Sequence, residues 1–334
     1  MCRKFQSIAL TVLVGLLLAA SPASAAPANE ATPGLLAKLP DGRKLNFRCS
    51  GQGSPTVLLE GGYGASSLVW TRVQAQVAKT NRVCAYDRAG YGFSDPGPLP
   101  RDGAAIARDL DRGLRAAKIN GPFIVVGHSA GGLYVRLFSN RRPEDVVGMV
   151  LVDPSVEYQE QRFSALFGPG AGSVAPIIAR DARCLEAAQR KALPSEEPGL
   201  ERCTPKPDPD LPAAVNAARL AEAMRPSKWR TLVSELETLW SSTSDEIKLG
   251  RQSYGDMPLI VLTAGQTYAS APEQAREPLA SLWWGLHREI AERSDRGVSR
   301  RIIDSPHMMI TQKPEVVVAA ILDVSAQTRS QAKP

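Results

Sequence analysis

The sequence predicts an α/β fold in which a mostly parallel sheet is covered by helices on both faces. Between residues 44 and 152, short apolar runs alternate with amphipathic helical stretches, and this alternation returns at residue 259. Between these two parts, residues 155–252 contain no convincing strand. Alternating β and α segments favour a parallel sheet. We therefore expect a sheet that the chain leaves once, to build a helical cap.

In the first part, the pattern predicts four strands and three helices. Apolar residues recur every four positions at Ile106, Leu110 and Leu114, which is the stripe of an amphipathic helix. Asn120-Gly121 marks the end of that helix. The predicted strands are 44–49, 56–60, 82–86 and 123–126, and the predicted helices are 70–78, 102–120 and 132–140.

The remaining elements continue this order. A buried strand is predicted at 147–152, cap helices at 213–224 and 227–240, a strand at 259–264, a helix at 272–293 and a last strand at 299–304. Pro314 suits the first position of a closing helix, where its missing N–H costs nothing.

The N-terminus has the features of a secretory signal peptide. Arg3 and Lys4 precede an apolar run at 8–20 that is too short to span a bilayer, and Ala23-Ser24-Ala25 is a small-x-small cleavage pattern. We predict a signal peptide at 1–25, a flexible lead-in from 27 to about 40, core segments at 26–154 and 253–334, and a cap at 155–252. The protein is expected to be periplasmic or secreted.

Charge and hydropathy narrow the range of partners. The formal net charge is +6, to which Arg3 and Lys4 contribute two charges. No basic stripe suggests nucleic acid. One cluster of arginines is typical of a solvated helix end and loop: Arg293, Arg296, Arg300 and Arg301. No later apolar stretch is long enough to cross a membrane. We expect neither nucleic acid nor a membrane span after signal cleavage.

Four cysteines follow the predicted signal peptide, and an even number in an exported protein favours disulfides. Cys49 and Cys84 fall in the N-terminal half, whereas Cys184 and Cys203 would close a short loop elsewhere. We favour the pairs 49–84 and 184–203 among three possible pairings, with free buried thiols as the alternative.

The most informative motif is Gly127-His128-Ser129-Ala130-Gly131, between a buried strand and a helix. In this context G-x-S-x-G predicts a sharp turn that exposes a nucleophilic serine at a helix N-terminus. The alternative is a glycine-rich turn that happens to contain serine. Ser129 is the predicted nucleophile.

A serine hydroxyl needs a base, and the base needs an orienting group. Of the three histidines, His128 is expected to point away from its neighbour Ser129, and His287 lies within a helix. His307 follows the last strand, at the sheet edge where Ser129 also lies. We predict His307 as the base; the alternative is a loop histidine without a partner.

The orienting acid has several candidates. Asp153 comes directly after the strand 147–152 and is our first choice, although it could simply cap a turn before Pro154. The loop after strand 259–264 contains no acid, and the first acid beyond it, Glu273 at the start of a helix, is our second choice. Asp256 is a distant third because it precedes that strand.

Two N–H groups are expected to stabilise an oxyanion. One belongs to Ala130, directly after the nucleophile, and the other to Gly62 in the Gly61–Gly64 loop, with Tyr63 next. Glycines there permit a substrate to approach the backbone closely, although a plain glycine-rich turn is the alternative.

Together these motifs resemble the capped type of the α/β-hydrolase fold family. The match spans Leu58–Gly62, Asp87–Ser94, Gly127–Gly131, Leu151–Pro154, and Pro306-His307 with Pro314. The resemblance implies an eight-stranded sheet, the order serine, acid, histidine, a cap that forms the substrate pocket, and no cofactor. Members often have histidine where Glu60 stands, and many carry aspartate in the loop that here holds Gln266 and Thr267. Some members use an acid at the position of Asp153.

The expected function is an exported serine hydrolase that cleaves a small ester-like substrate through an acyl-enzyme. Members that open epoxides or remove halogens have aspartate at the nucleophile position, which here is Ser129. An aminopeptidase, a lactonase or a carbon–carbon bond hydrolase would share the triad, and a non-catalytic binding protein is a further alternative. Cap aromatics suggest an apolar pocket, although such residues more often pack helices together: Phe163, Phe167, Trp229 and Trp240.

Overall fold

A computed structural model describes residues 30–209 and 211–331 and contains, within these residues, one eight-stranded sheet of order β1-β2-β4-β3-β5-β6-β7-β8. The strands are β1 Leu35–Lys38, β2 Lys44–Ser50, β3 Thr56–Glu60, β4 Val83–Tyr86, β5 Phe123–His128, β6 Val146–Val152, β7 Leu259–Ala264 and β8 Gly297–Ile302. β2 is antiparallel to β1 and β4, and all other neighbours are parallel. The predicted fold class is confirmed. The predicted signal peptide lies outside the described residues.

Helices cover both faces of the sheet. They are α1 Thr71–Val77, α2 Gly103–Ala116, α3 Gly131–Arg141, α4 Gln159–Phe167, α5 Ala175–Gln189, α6 Ala213–Ala223, α7 Pro226–Leu239, α8 Ser242–Leu249, α9 Glu273–Ala291, α10 Met309–Gln312 and α11 Pro314–Gln331. Short 3₁₀ turns occupy Ser67–Trp70 and Glu201–Cys203. In this described part of the chain, no helix is both long and apolar enough to span a membrane.

The central strands are buried on both sides, which explains their continuous apolar sequences. Val57 and Leu59 of β3 pack in the cluster that α1 and α11 cover, whereas Leu58 packs in the cluster that α2, α3 and α9 cover. This alternation follows from the two-residue period of a strand. Every residue of β3, β5 and β7 is buried. The carboxyl ends of these strands are therefore held on a rigid support.

The prediction of a flexible lead-in up to about residue 40 is wrong for its last part. Residues Leu35–Lys38 form β1, which pairs with β2 in the register Leu35↔Phe47 to Lys38↔Lys44. The connection contains Pro40-Asp41-Gly42, and Gly42 has a φ of 88°. Proline and glycine at these positions favour a tight turn. For the residues just before the turn, this signal for a β-hairpin is a better predictor of structure than the Ala- and Pro-rich composition.

Five helices lie between β6 and β7, where the described residues contain no strand. The predicted cap helices appear as α6 and α7, while α4, α5 and α8 were not predicted. Cys184 of α5 is joined to Cys203, and Cys49 of β2 to Cys84 of β4, as the sequence favoured. Cys84, Cys184 and Cys203 are buried, whereas Cys49 is exposed.

The turn between β5 and α3 has almost no free space. Ser129 has a φ of 53°, in the left-handed region that few non-glycine residues adopt. A Cβ on Gly127 would lie 2.5 Å from the Gly131 carbonyl oxygen, and a Cβ on Gly131 would lie 2.6 Å from the Glu60 carbonyl oxygen. The two glycines are therefore needed for β3, β5 and α3 to approach one another.

We predict that Gly127→Ala destabilises the protein by about 3 kcal/mol, because the added methyl overlaps backbone atoms that cannot rotate away. The free energy of unfolding would be measured by urea titration. Gly285→Ala is the matched control: it lies within α9, where a Cβ meets nothing within 4 Å, and should be neutral or stabilising by up to about 1 kcal/mol. Equal urea midpoints for both variants would contradict this explanation.

A second prediction concerns acid stability. Burial alone would raise the pKa of Glu157, but ion pairs with Arg136 of α3 and Arg293 beyond α9 lower it from 4.5 to about 2. Because the folded-state pKa is the lower one, this carboxylate stabilises the fold above about pH 4.5 and ceases to do so as pH falls towards about 2, a contribution of about 3 kcal/mol.

The free energy of unfolding of wild type and Glu157→Gln would be compared from about pH 7 to about pH 2. We expect the difference to be largest near neutral pH and to shrink by about 3 kcal/mol at the acid end. A difference that does not vary with pH would show that the ion pairs contribute nothing to acid stability.

Candidate active site

Three predicted residues lie at one edge of the sheet. Ser129 directly follows β5, Asp153 directly follows β6, and His307 lies in the loop between β8 and α10. The three strands are parallel, so their carboxyl ends meet at the same edge. The fold therefore brings together residues that are far apart along the chain.

Asp153 and His307 are in direct contact. The Nδ1–H of His307 donates to Asp153 Oδ2 over 2.7 Å. The Asp153 side chain is fully buried, while 38% of the His307 side chain is exposed. With Nδ1 as the donor, the neutral imidazole has its lone pair on Nε2.

Three further groups donate to the Asp153 carboxylate. The backbone N–H of Ala264 and the indole Nε1–H of Trp283 reach Oδ1 at 2.9 and 2.8 Å, and the Thr267 hydroxyl reaches Oδ2 at 2.5 Å. Burial alone would raise the Asp153 pKa, but the hydrogen bonds from His307 and Thr267 help to hold it below its ordinary value. The carboxylate is therefore ionised in spite of its burial.

Ser129 is held by its backbone beside Asp153. Its N–H donates to the Val152 carbonyl at 3.1 Å, and its carbonyl accepts from the Ser155 N–H at 2.9 Å. The hydrogen bonds of the described residues do not include one between the Ser129 hydroxyl and the His307 ring. The two residues are connected through His128, whose Nε2–H donates to the His307 carbonyl at 3.0 Å and whose ring centroid lies 4.8 Å from that of His307.

The other two histidines are buried, and each donates from Nε2 to a backbone carbonyl. Burial and the nearby His307 lower the pKa of His128 to about 4. Burial also lowers the pKa of His287, whose Nδ1 accepts from the Thr263 hydroxyl at 2.7 Å and whose Nε2–H donates to the Pro154 carbonyl at 2.8 Å. Both rings are therefore neutral near pH 7, in line with their interpretation as structural residues.

The predicted oxyanion donors flank Ser129. Ala130 is the residue that immediately precedes α3, where N–H groups have no partner within the helix. Gly62 packs so closely that a Cβ there would lie 3.0 Å from the Ser129 Cβ. The absence of a side chain at Gly62 is thus what allows this loop to reach Ser129.

Among the alternative acids, Glu273 is exposed at the first residue of α9, and Asp256 lies before β7.

The sequence analysis did not predict two side chains that donate to Asp153, Thr267 and Trp283. The signal for Thr267 was its position, because the loop after β7 is where an acid was sought. In this chain that loop supplies a hydroxyl donor to an acid on the neighbouring strand.

An aromatic cluster lies beside this site. Phe163 of α4 lies 5.8 Å from Tyr268 and 6.0 Å from Trp283 between ring centroids, and Phe167 lies 6.2 Å from Phe163. Trp283 also donates to Asp153, so the cluster extends from the cap to the carboxylate. Trp229, by contrast, is buried within the cap, where its indole N–H donates to the Ala223 carbonyl.

Comparisons with known proteins show which proteins this chain is similar to. The uncharacterized protein YqjL of Bacillus subtilis is 25% identical over 286 residues, which are 85% of this chain and 88% of that protein. An AB hydrolase superfamily protein of Gibberella zeae is 25% identical over 291 residues, 80% of this chain and 85% of that protein. The crystal structure of the enol-lactonase from Burkholderia xenovorans LB400 superposes with a TM-score of 0.59 and 17% identity, covering 87% of this chain and all of the other.

The sequence model of the Alpha/beta hydrolase family matches residues 57–320, which run from the second residue of β3 into α11 and include the five helices between β6 and β7 and all three residues at the sheet edge. The chain belongs to the alpha/beta hydrolase family.

Proposed function

We propose that this member of the family is an exported serine hydrolase that cleaves a small ester-like substrate, with Ser129 as nucleophile, His307 as base and Asp153 as orienting acid. The observation that carries the proposal is the 2.7 Å hydrogen bond from His307 Nδ1 to the buried Asp153 carboxylate. This bond leaves the Nε2 of His307 as a proton acceptor at the edge of the sheet where Ser129 follows β5.

The proposed reaction begins when Ser129 Oγ attacks the carbonyl carbon and its proton passes to His307 Nε2. The imidazolium that forms is stabilised by Asp153, which remains ionised. The N–H groups of Ala130 and Gly62 donate to the oxyanion. The proton then passes to the departing alcohol, the acyl-enzyme remains, and water activated by His307 releases the acid. Catalytic hydrogen bonds often shorten only when substrate binds, as this route requires of Ser129 and His307.

The surroundings of the site favour an apolar substrate group. The cluster of Phe163, Tyr268 and Trp283 combines cap and core and lies next to Asp153. Aromatic side chains present apolar faces that suit an acyl or alkyl group. Serine at the nucleophile position supports acyl transfer rather than epoxide opening or dehalogenation. We propose residues 155–252 as the cap that selects the substrate.

Two disulfides support an exported protein, because such bonds persist in oxidising compartments. The signal-peptide pattern at residues 1–25 supports the same proposal. A periplasmic or secreted location follows from these two features together.

We expect Ser129→Ala to lose at least about 10⁴-fold in kcat on p-nitrophenyl esters, because the nucleophile is removed. A fluorophosphonate should label wild type at Ser129 and should not label this variant. Ser241→Ala, an exposed cap serine, is the control and should label normally. Folded wild type that resists labelling would favour a non-catalytic binding protein on this scaffold.

We expect Asp153→Asn to lower kcat by about 10³- to 10⁴-fold, because an amide no longer holds the imidazole in the required tautomer. Glu273→Gln is the matched control and should stay within about twofold of wild type, since that acid is exposed. Full activity of Asp153→Asn together with loss in Glu273→Gln would reverse the assignment of the acid.

The same variants would be assayed on p-nitrophenyl esters, aminoacyl anilides and lactones. Turnover of anilides alone would replace the esterase proposal with an aminopeptidase, and turnover of lactones alone would replace it with a lactonase.

A further inference from the structure

Arg88 is a buried charged residue that contacts the segment 60–63, here called the oxyanion loop. It follows β4, and its side chain is only 1% exposed. Its Nη1 donates to the Gly61 carbonyl at 2.7 Å, and its Nη2 donates to the Gly62 carbonyl at 2.8 Å. One guanidinium therefore binds two consecutive carbonyls of this loop.

These two contacts determine where the loop's N–H groups point. In a trans peptide, the C=O and the N–H point in opposite directions. The Gly61 carbonyl shares a peptide with the Gly62 N–H, and the Gly62 carbonyl shares one with the Tyr63 N–H. Since both carbonyls face Arg88, both N–H groups point away from it. Gly62 itself packs against the Ser129 Cβ, so the loop that carries these N–H groups lies beside the serine.

The guanidinium is itself held by two buried acids. Glu60, the residue before the two glycines, accepts from Nη1 at 2.7 Å. Glu235 of cap helix α7 accepts from Nε at 3.0 Å and from Nη2 at 3.1 Å. The side chains of both acids are at most 2% exposed. Arg88 thus joins the loop to the cap through a two-pronged ion pair.

Two tyrosines complete the contacts of these acids. The Tyr91 hydroxyl donates to Glu235 Oε2 at 2.8 Å, and the Tyr86 hydroxyl donates to Glu60 Oε2. The Arg88 guanidinium carbon also lies 4.7 Å from the Tyr91 ring centroid. A guanidinium provides a planar fork of five N–H donors, which a lysine ammonium does not reproduce.

We propose that Arg88 is a positioning residue that orients the N–H groups of Gly62 and Tyr63 for the oxyanion. Because Glu235 binds the Arg88 guanidinium, we propose that this orientation also depends on how closely helix α7 of the cap packs against Arg88. The proposal rests on the proposed function, since it assigns a role to an oxyanion. Arg88 touches no reacting atom in this scheme and acts through the two peptide groups.

The test compares Arg88→Lys, Glu235→Gln and the double variant with wild type in the full chain. The readouts are the melting temperature, kcat and KM on a p-nitrophenyl ester, and the inhibition constant of a trifluoromethyl ketone, which forms an oxyanion with the serine. The matched control is Arg136→Lys. Arg136 is equally buried, and its side chain donates to Glu157 and Tyr254 rather than to the oxyanion loop.

For Arg88→Lys we expect kcat to fall by about 10- to 100-fold and KM to change by less than about threefold, because a misoriented donor is lost mainly in the transition state. The inhibition constant of the ketone should rise by the same factor as kcat falls. Glu235→Gln should show a smaller fall of the same kind, and the double variant should be no worse than Arg88→Lys. Arg136→Lys should lower the melting temperature and leave kcat and the ketone constant unchanged.

A lower melting temperature in Arg88→Lys without a change in kcat or ketone binding would overturn the proposal and leave Arg88 with a structural role only. If Arg88→Lys does not fold, Glu235→Gln decides alone, and wild-type values for its kcat and ketone binding would overturn the proposal. Failure of the proposed function is recognised separately, by turnover that survives Ser129→Ala.

Discussion

The arrangement of the site depends on the buried carboxylate of Asp153. It accepts hydrogen bonds from four groups: the backbone of Ala264 at the end of β7, Thr267 in the following loop, Trp283 of α9, and His307 after β8. A buried negative charge is costly unless several donors surround it. If any one of these segments moved away, the buried carboxylate would lose a hydrogen bond. The carboxylate therefore holds the loop after β7, helix α9 and His307 in place at the same time.

The neighbouring histidines, His128 and His287, donate to backbone carbonyls rather than to the Asp153 carboxylate. Burial keeps His128 and His287 neutral. The Nε2–H of His128 donates to the His307 carbonyl, and the Nε2–H of His287 donates to the Pro154 carbonyl. These bonds place one neutral ring against the backbone of His307 and the other next to the segment that follows Asp153. Of the three histidines, the one with an exposed ring edge is thus also the one bonded to the acid.

The positions of Ser129 and Asp153 could be predicted because each follows a strand that has an unambiguous apolar pattern. His307 was predicted from its place after the last strand, although that strand, GVSRRI, is largely polar. The strand order then brings them to one edge without any knowledge of side-chain contacts. Thr267 and Trp283 could not be predicted in the same way, because their role depends on which atoms Asp153 leaves unsatisfied. β1 was missed for a different reason: a short strand in an Ala- and Pro-rich segment has a weak pattern, and only its turn identifies it. In the cap, α5 is held by the Cys184–Cys203 pair and by packing on α7 rather than by a strong apolar stripe.

The chain's departure from the family pattern at Glu60 has a physical explanation in this structure. A carboxylate at this position attracts Arg88, and the arginine then reaches the carbonyls of Gly61 and Gly62. The charge of Arg88 would be balanced by Glu60 alone, yet a second acid, Glu235 of the cap helix α7, also binds the guanidinium. Because burial of an extra carboxylate is unfavourable unless it is fully hydrogen-bonded, the cap must seat closely enough to complete the bonds to Arg88 and Tyr91. The cap and the loop beside Ser129 are therefore one electrostatic unit, although Arg88 and Glu235, which join them, are 147 residues apart in the sequence.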